Sequence, residues 1–267
     1  MSRSPAFTDP RNINPTPTGP NRVEPAAFIT AITAQTNLSL FDVDVTRMQG
    51  QFAGLEAKDI EDIVNAILVA EAPAVWSGND TSLSSPTTTQ YVGLLSQITT
   101  QYVIAPGASI VDGLKSAVAQ MAARTDFVVK PTAIYLNPIL ADLIDRESKA
   151  QHIELSTVAV AGVSVKAIST VMGDLPLISD PWLVKWSGAS FGFSAPPTGN
   201  NTYAAVIVTE SEIEMPTVHG GDGNMNPRIF QLGLLANLTG QYVGVHFNAV
   251  IAKGATYAHA VVGVQRP

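Results

Sequence analysis

Between residues 55 and 124 the apolar side chains repeat at helical spacing, and from residue 130 onward they repeat mostly at a spacing of two; this change of period is what most restricts the fold. Ile60, Ile63, Val64, Ile67 and Leu68 fall at i, i+3, i+4, i+7 and i+8, one stripe of a helix that begins near Leu55 and that Pro73 is expected to end. Ile110, Val111, Leu114, Val118, Met121 and Ala122 form a second stripe over 108–124, with Ser109 placed to cap it, Asp112 three positions on, and Gly113 as a small weakness. In KPTAIYLNPILADLI (130–144) a strand, Ala133 to Leu136, stops at Asn137-Pro138 and turns into a helix. The Asn137 side chain can cap that helix, Pro138 suits its first position, and Ile139, Leu140, Leu143 and Ile144 are expected to point inward.

The rest reads as strand. TVAVAGVSVKAISTVM (157–172) predicts a hairpin bent at Ala161-Gly162, MGDLPLISDP (172–181) a second turn, and further strands are expected at 203–208, at 212–218 and within 229–252. Residues 77–90 and HGGDGNMNP (219–227) read as loops. Nearer the start, LSLFDVDVTRM (38–48) alternates closely enough to read as a strand with one irregularity after Phe41. Helices first and strands later predict an α+β fold rather than a parallel doubly wound sheet.

Pro5, Pro10, Pro15, Pro17, Pro20 and Pro25 keep residues 1–25 out of helix and central strand, so an extended arm is expected there. Such a terminus is ordered only where something holds it, and a neighbouring copy of the chain is the natural candidate. Composition points the same way. Charged residues are 14% of the chain and apolar ones 46%, against a usual charged share of about 25%, which favours large subunit interfaces. The formal charge of −7 and the lack of a basic run argue against sequence-specific nucleic-acid binding. With no cysteine, disulfides, thiolate metal sites and cysteine nucleophiles are excluded. The first residues hold no apolar signal region and no run of 18 apolar residues occurs, so the sequons at Asn37, Asn79, Asn200 and Asn237 carry no expectation of glycosylation.

No reactive constellation stands out. His152, His219, His246 and His259 share no metal-ligand spacing; His246 reads as a strand histidine with a satisfied hydrogen bond and His219 as a loop residue. Asp222, Asn224 and Asn226 begin a calcium-loop pattern that fails at Pro227 and Gly233. Glu56, Asp59, Glu61 and Asp62 suit a helix start, and Asp142, Asp145 and Glu147 read as a solvated helix face. No G-x-S-x-G, Walker A, G-x-G-x-x-G or H-E-x-x-H is present. No catalytic residue, cofactor or metal is therefore expected, and the chain reads as a structural, assembling protein rather than an enzyme.

Four phrases, in order, resemble the major capsid proteins of tailed bacteriophages, the Hong Kong-type capsid fold that encapsulins share. They are ILVAEAPAVWSGNDTS leading to YVGLL (67–95), where the family has a helix ending, a loop and "GL"; SIVDGLKSAVAQMAARTD as the amphipathic helix; AIYLNPILADLI as a strand running into "N-P" and a helix; and MGDLPLISDP as its "G-x-P-V" phrase. FQLGLLANLTGQYVGVHFNAVIAKG looks like the closing strand, so the resemblance covers about residues 55 to 255.

The resemblance implies an N-terminal arm (1–30), an extended β-ribbon loop (31–54), a peripheral domain (55–130) with its spine helix at 108–124, a mainly axial domain (131–220) and a return strand to the peripheral domain (221–267). It implies a virion protein assembled in the host cytoplasm, self-assembling into pentamers and hexamers of an icosahedral head around double-stranded DNA that it contacts only non-specifically, with scaffold, portal and decoration proteins as further partners and no membrane. An encapsulin-like nanocompartment shell is the alternative, and a soluble hydrolase or binding domain a third reading. The ribbon segment is short and has no lysine, since Lys58 at the helix start is the only one before Lys115, so lysine–asparagine crosslinking through it is not expected. Because the sequence opens on the arm at Met1, a separate scaffold protein, or none, is expected.

Overall fold

A computed structural model describes residues 27–50, 54–78, 80, 82–85, 87–90, 92–124, 128–183, 195–218, 226–234 and 238–267. The arm at 1–25, His219, Asp222, Asn224, Asn79 and Asn237 lie outside the described residues.

The elements run β1 (Thr30–Ser39), α1 (Leu40–Gln49), α2 (Leu55–Ser77), α3 (Leu94–Gln97), β2 (Gln101–Ile104), α4 (Ile110–Ala122), β3 (Ala133–Leu136), α5 (Pro138–Ala150), β4 (Ser156–Val160), β5 (Val163–Thr170), β6 (Gly173–Ser179), β7 (Asn201–Val208), β8 (Ile213–Glu214), β9 (Arg228–Leu234), β10 (Thr239–Asn248), β11 (Ile251–Ala252) and β12 (Ala260–Arg266). Seven strands form one sheet in the order β2-β12-β7-β3-β6-β5-β4, three form a second in the order β1-β10-β9, and β8 pairs with β11. The α+β expectation holds: the large sheet is mixed, with β12 parallel to β2 and β3 parallel to β6 among antiparallel neighbours.

The centre of the large sheet is buried on both faces. Tyr203, Ala205 and Ile207 of β7, with Ala260, Val262 and Val264 of β12, meet α4 and α5 through Leu114, Met121, Leu140 and Ile144. The alternate residues Ala204, Val206, Val208 and Val261 face Trp76, Leu94, Leu95 and Ile98 on the other side. Period-two alternation is thus preserved, but both phases are apolar, as expected of a strand covered on two faces. A third cluster joins the sheets' helix: Ile63 and Ile67 of α2 pack on Leu38 and Tyr242. Gly244 of β10 lies under them, where a Cβ would press on Ile63 and come within 2.9 Å of Ile67 Cδ1, so glycine is what lets the helix approach.

The corner after β3 forms as expected. Asn137 Oδ1 accepts from the Ile139 N–H at 2.9 Å, Pro138 opens α5, and Ala161 and Gly162 both take positive φ in the β4–β5 turn. Leu140 and Ile144 are buried and Leu143 is partly so, whereas Ile139 is exposed.

Other expectations are corrected. The segment 38–48 is not a strand: β1 ends at Ser39, the Leu40 N–H binds Leu238 O, and α1 follows, closed by Gly50 at φ 60°. Its D-V-D-V alternation also places Leu40, Val43 and Arg47 on one helical face, an ambiguity that short apolar runs do not resolve alone. Within 31–54, β1 pairs along its whole length with β10, whose other partner is β9.

Pro73 does not end α2, which runs one turn further to Ser77. The missing N–H costs the one bond to the Val69 carbonyl, and the turn beyond it is held by the Gly78 N–H on Ala74 O at 2.9 Å and the Ser77 hydroxyl on Pro73 O at 3.1 Å. The run 229–252 is a hairpin plus a short strand, and 212–218 contains only the two residues of β8. The helix at 108–124 forms as α4, but it packs with α5 and the seven-stranded sheet. At 23 residues α2 is the longest helix among the described residues, against 13 for α4.

Candidate assembly surfaces

Each strand of the small sheet turns alternate residues toward α2, and among the described residues the opposite set is left uncovered. In β10 the inward set is Tyr242, Gly244, His246 and Asn248, and the outward set is Gln241, Val243, Val245 and Phe247. Phe230 pairs with Val243 and Leu232 with Gln241, which puts both on the same outward face; they are 46% and 50% exposed, and Phe247 is 37% exposed. The neighbouring outward positions of β1, Ala31, Thr33, Gln35 and Asn37, are small or uncharged. Apolar residues on a sheet face without a covering layer mark a surface that another molecule is suited to cover. Phe41 and Met48 of α1 are exposed as well.

Inside the same unit, α2 is tied to the sheet by a buried polar cluster. Glu71 Oε2 lies 3.2 Å from His246 Nδ1, and Glu71 Oε1 accepts from Asn248 Nδ2. A carboxylate only accepts, so His246 carries its proton on Nδ1. His246 Nε2 and Asn248 Oδ1 are buried with no partner. His246 is therefore a strand histidine as expected, although its hydrogen bonding is only half satisfied.

The loop after α2 is built around a buried carboxylate. Asp80 accepts from the backbone N–H groups of Ser82, Thr87 and Thr88 at 3.2, 2.9 and 3.0 Å. The density of Ser and Thr after Asp80 was the available signal, since donors at short range can fold back on one acceptor. Gly93 then abuts the end of α2, and buried Gln97 spends both amide hydrogens on Val92 O and Val250 O while its oxygen accepts from the Ala252 N–H.

The acidic residues of α5 divide. Asp142 pairs with Arg146 in solvent, and Lys149 and Lys166 hold Asp145 below the usual carboxylate range. Glu147, expected on a solvated face, is instead turned in: its Oε1 accepts from Ser109 Oγ at 2.6 Å and from the Ile110 N–H at 2.7 Å. Ser109 in turn accepts from the Asp112 N–H at 3.2 Å, the cap the sequence predicts. A negative charge on a helix N-terminus is favourable there. Glu147→Ala should cost about 1–2 kcal/mol in chemical denaturation, and Glu147→Gln clearly less, because the amide oxygen still accepts.

Of the remaining histidines, His152 follows the end of α5 at φ 55° and His259 is buried before β12. His259 Nδ1 accepts from the Thr209 N–H at 3.3 Å and Nε2 lies 3.1 Å from Lys253 O. Burial pushes its imidazole below the ordinary value of 6.5, opposed by its backbone hydrogen bonds to Lys253 and Glu212. The folded state thus binds the proton less readily than the unfolded one, so this contribution to stability is complete above about pH 6.5 and is lost as the pH falls through and below it. The difference in melting temperature between the native chain and His259→Gln should narrow over that window. Among the described residues no three His, Asp or Glu side chains are grouped to hold a metal ion, and no helix is long and apolar enough to cross a membrane.

No family model and no curated protein matches the sequence. Solved structures do match in shape. The holo-SrpI encapsulin complex of Synechococcus elongatus superposes with a TM-score of 0.61 at 14% identity, over 88% of this chain and 73% of that one. The satellite phage P4 procapsid, which includes the size determination protein, gives 0.56 at 11% identity over 98% and 85%. The capsid of an empty GTA particle gives 0.55 at 14% over 88% and 73%. These neighbours are structural shells. The superposition over 88 to 98% of the chain at TM-scores of 0.55 to 0.61 gives this protein the Hong Kong-type capsid fold.

Proposed function

We propose that this chain is the major capsid protein of a tailed phage, closing as pentamers and hexamers into an icosahedral head around double-stranded DNA. The observation that carries the reading is the likeness to three shell proteins over 88 to 98% of the chain, joined to an apolar sheet face that no other described residue covers. In this reading residues 1–30 act as an arm across neighbours. The peripheral part is α2 on β1-β10-β9, and the axial part is the seven-stranded sheet with α4 and α5. Interfaces of roughly 800 Å² per partner, repeated around each copy, sum to a durable shell. The acidic balance of −7 suits a container that contacts its DNA non-specifically. It would be a virion component assembled in the host cytoplasm, with scaffold, portal and decoration proteins as further partners.

Electron microscopy of the purified protein, alone and with a co-expressed scaffold, tests this: closed particles are expected, and persistent monomers under every assembly condition would sink it. Phe230→Ser should raise the concentration at which particles form by about tenfold or more, since a buried Phe contributes about 1.5–3 kcal/mol, and should leave the melting of the free subunit nearly unchanged. An encapsulin-like compartment is the second reading, favoured by the TM-score of 0.61 to an encapsulin against 0.56 and 0.55 for the other two. Particles holding a protein cargo and no DNA would decide for it.

A further inference from the structure

A groove of about 460 Å³ opens between the end of α2, α3 and the large sheet, walled by Trp76, Leu94, Tyr135 and Ile213, with the carboxylates of Asp180 and Glu210 at its side. The Trp76 and Tyr135 rings meet at 5.4 Å with their planes tilted by 51°. Both carboxylates are held by neutral donors: Asp180 accepts from Trp76 Nε1 and from the Trp182 N–H, each at 2.8 Å, and Glu210 accepts from the Tyr135 hydroxyl at 2.8 Å and from Thr132 Oγ1 at 3.3 Å. Among the described residues neither forms an ion pair. Tyr135 registers this surplus of negative charge: burial, the Glu210 hydrogen bond and the charges of Glu210 and Asp180 push its hydroxyl up to about 12.

Beside this recess the chain carries a projection. Over 128–133 exposure alternates, with Val128, Lys130 and Thr132 exposed and Val129, Pro131 and Ala133 buried, as in an extended segment leading into β3. Val128 is an apolar side chain fully open to solvent. Lys130 forms no ion pair among the described residues, although Thr132, two positions on, touches Glu210. A free cation and two free carboxylates therefore stand close together in one copy without meeting. Thr132 lies between projection and recess: Val128 comes four residues before it, about 13 Å along an extended chain, and Tyr135 three residues after it, about 10 Å. A projection and a recess that flank one point are self-complementary under a two-fold axis through that point, so that each of two copies fills the other.

We infer that this patch is a docking surface for a second copy of the same chain, Val128 and the methylene stem of Lys130 entering the other copy's groove against Trp76 and Tyr135, and the Lys130 ammonium resting on Glu210 and Asp180. Lysine suits such a position because it buries its stem along an apolar wall while its head stays on the polar rim, and an ammonium is attracted to aromatic faces. The inference rests on the reading of the chain as one that assembles with itself, and deepens it by naming the side chains of one two-fold contact.

Because the chain has no native cysteine, only introduced thiols can bridge. A Val128→Cys chain is mixed in dilute solution with a size-tagged Ala72→Cys chain, Ala72 lining the groove, then oxidised and run on non-reducing gels; Thr157→Cys on exposed β4 replaces Ala72→Cys as the control. The mixed dimer should form at least tenfold faster with the groove cysteine than with the control. Adding Lys130→Glu to the Val128→Cys chain should slow it at least fivefold, whereas Lys130→Arg should leave it within twofold; both replacements fall on an exposed side chain and leave the groove intact. Equal rates for groove and control, as expected of a groove that receives some other molecule, an unchanged rate with Lys130→Glu, or Val128→Cys homodimers outrunning the mixed dimer would overturn the inference. Electron microscopy of the native chain keeps the two readings apart: shells together with equal crosslinking rates sink the two-fold contact alone, and rapid mixed dimers from a chain that never closes into shells sink the shell reading alone.

Discussion

Glu71→Ala should lower the unfolding free energy of the subunit by about 2–6 kcal/mol in urea denaturation, because it strands two buried donors at about 1–3 kcal/mol each. The donors are His246 Nδ1 and Asn248 Nδ2, on residues 8% and 0% exposed. Among the described residues the cluster also holds two buried acceptors without a partner, His246 Nε2 and Asn248 Oδ1. Glu71→Gln should fall between the native chain and the alanine variant, since an amide can accept with one oxygen but turns a second donor toward donors. A Glu71→Ala chain that melts with the native one would show that the cluster is not what fixes the long helix to its sheet.

Gly93→Ala adds a single methyl group and should nevertheless cost about 3 kcal/mol or more. The new Cβ would press on Gly78 N, stand 2.5 Å from Trp76 O and 2.8 Å from Ser77 N, and all three are backbone atoms that no rotamer change can move aside. The end of α2 has to shift instead. That displaces Trp76 and with it the 2.8 Å bond to Asp180, so near-ultraviolet circular dichroism should change along with the loss in thermal stability. By contrast Gly50→Ala, at φ 60° but with open space around its Cβ, should cost only the backbone strain of about 1 kcal/mol.

The pair Gly93-Leu94 shows what kind of information the sequence carried. As a phrase it helped to identify the fold; its physical meaning, a glycine that admits a helix end and a leucine buried behind it, becomes visible only in three dimensions. Short-range devices were legible to the residue: Asn137 and Pro138 at the start of α5, Ser109 at the start of α4, and the Ala161-Gly162 turn. Each is decided by atoms within four residues.

Long-range ones were not. Thr30–Ser39 is poor in large apolar residues and becomes a strand because β10, some two hundred positions away, offers a full ladder of partners. Ala260–Arg266 is apolar in both phases and was passed over, yet it is a central strand of the main sheet. Gly113, which reads as a flaw in its helix, is a contact: a Cβ there would meet Ile104 Cγ1 at 2.6 Å. The candidate surfaces were the least legible of all, since the apolar groove draws on α2, β3 and the segment around Glu210, which no local pattern connects.

The position of β12 has a consequence for timing. It lies between β2 and β7, parallel to one and antiparallel to the other, and without it those two strands have no hydrogen-bonding contact. During synthesis the large sheet therefore stays split until residues 260–266 have left the ribosome, and a slow, late closure is expected of pairings so distant in sequence. In the shell reading, closure of β12 is thus the step after which a subunit presents its finished sheet to a neighbour.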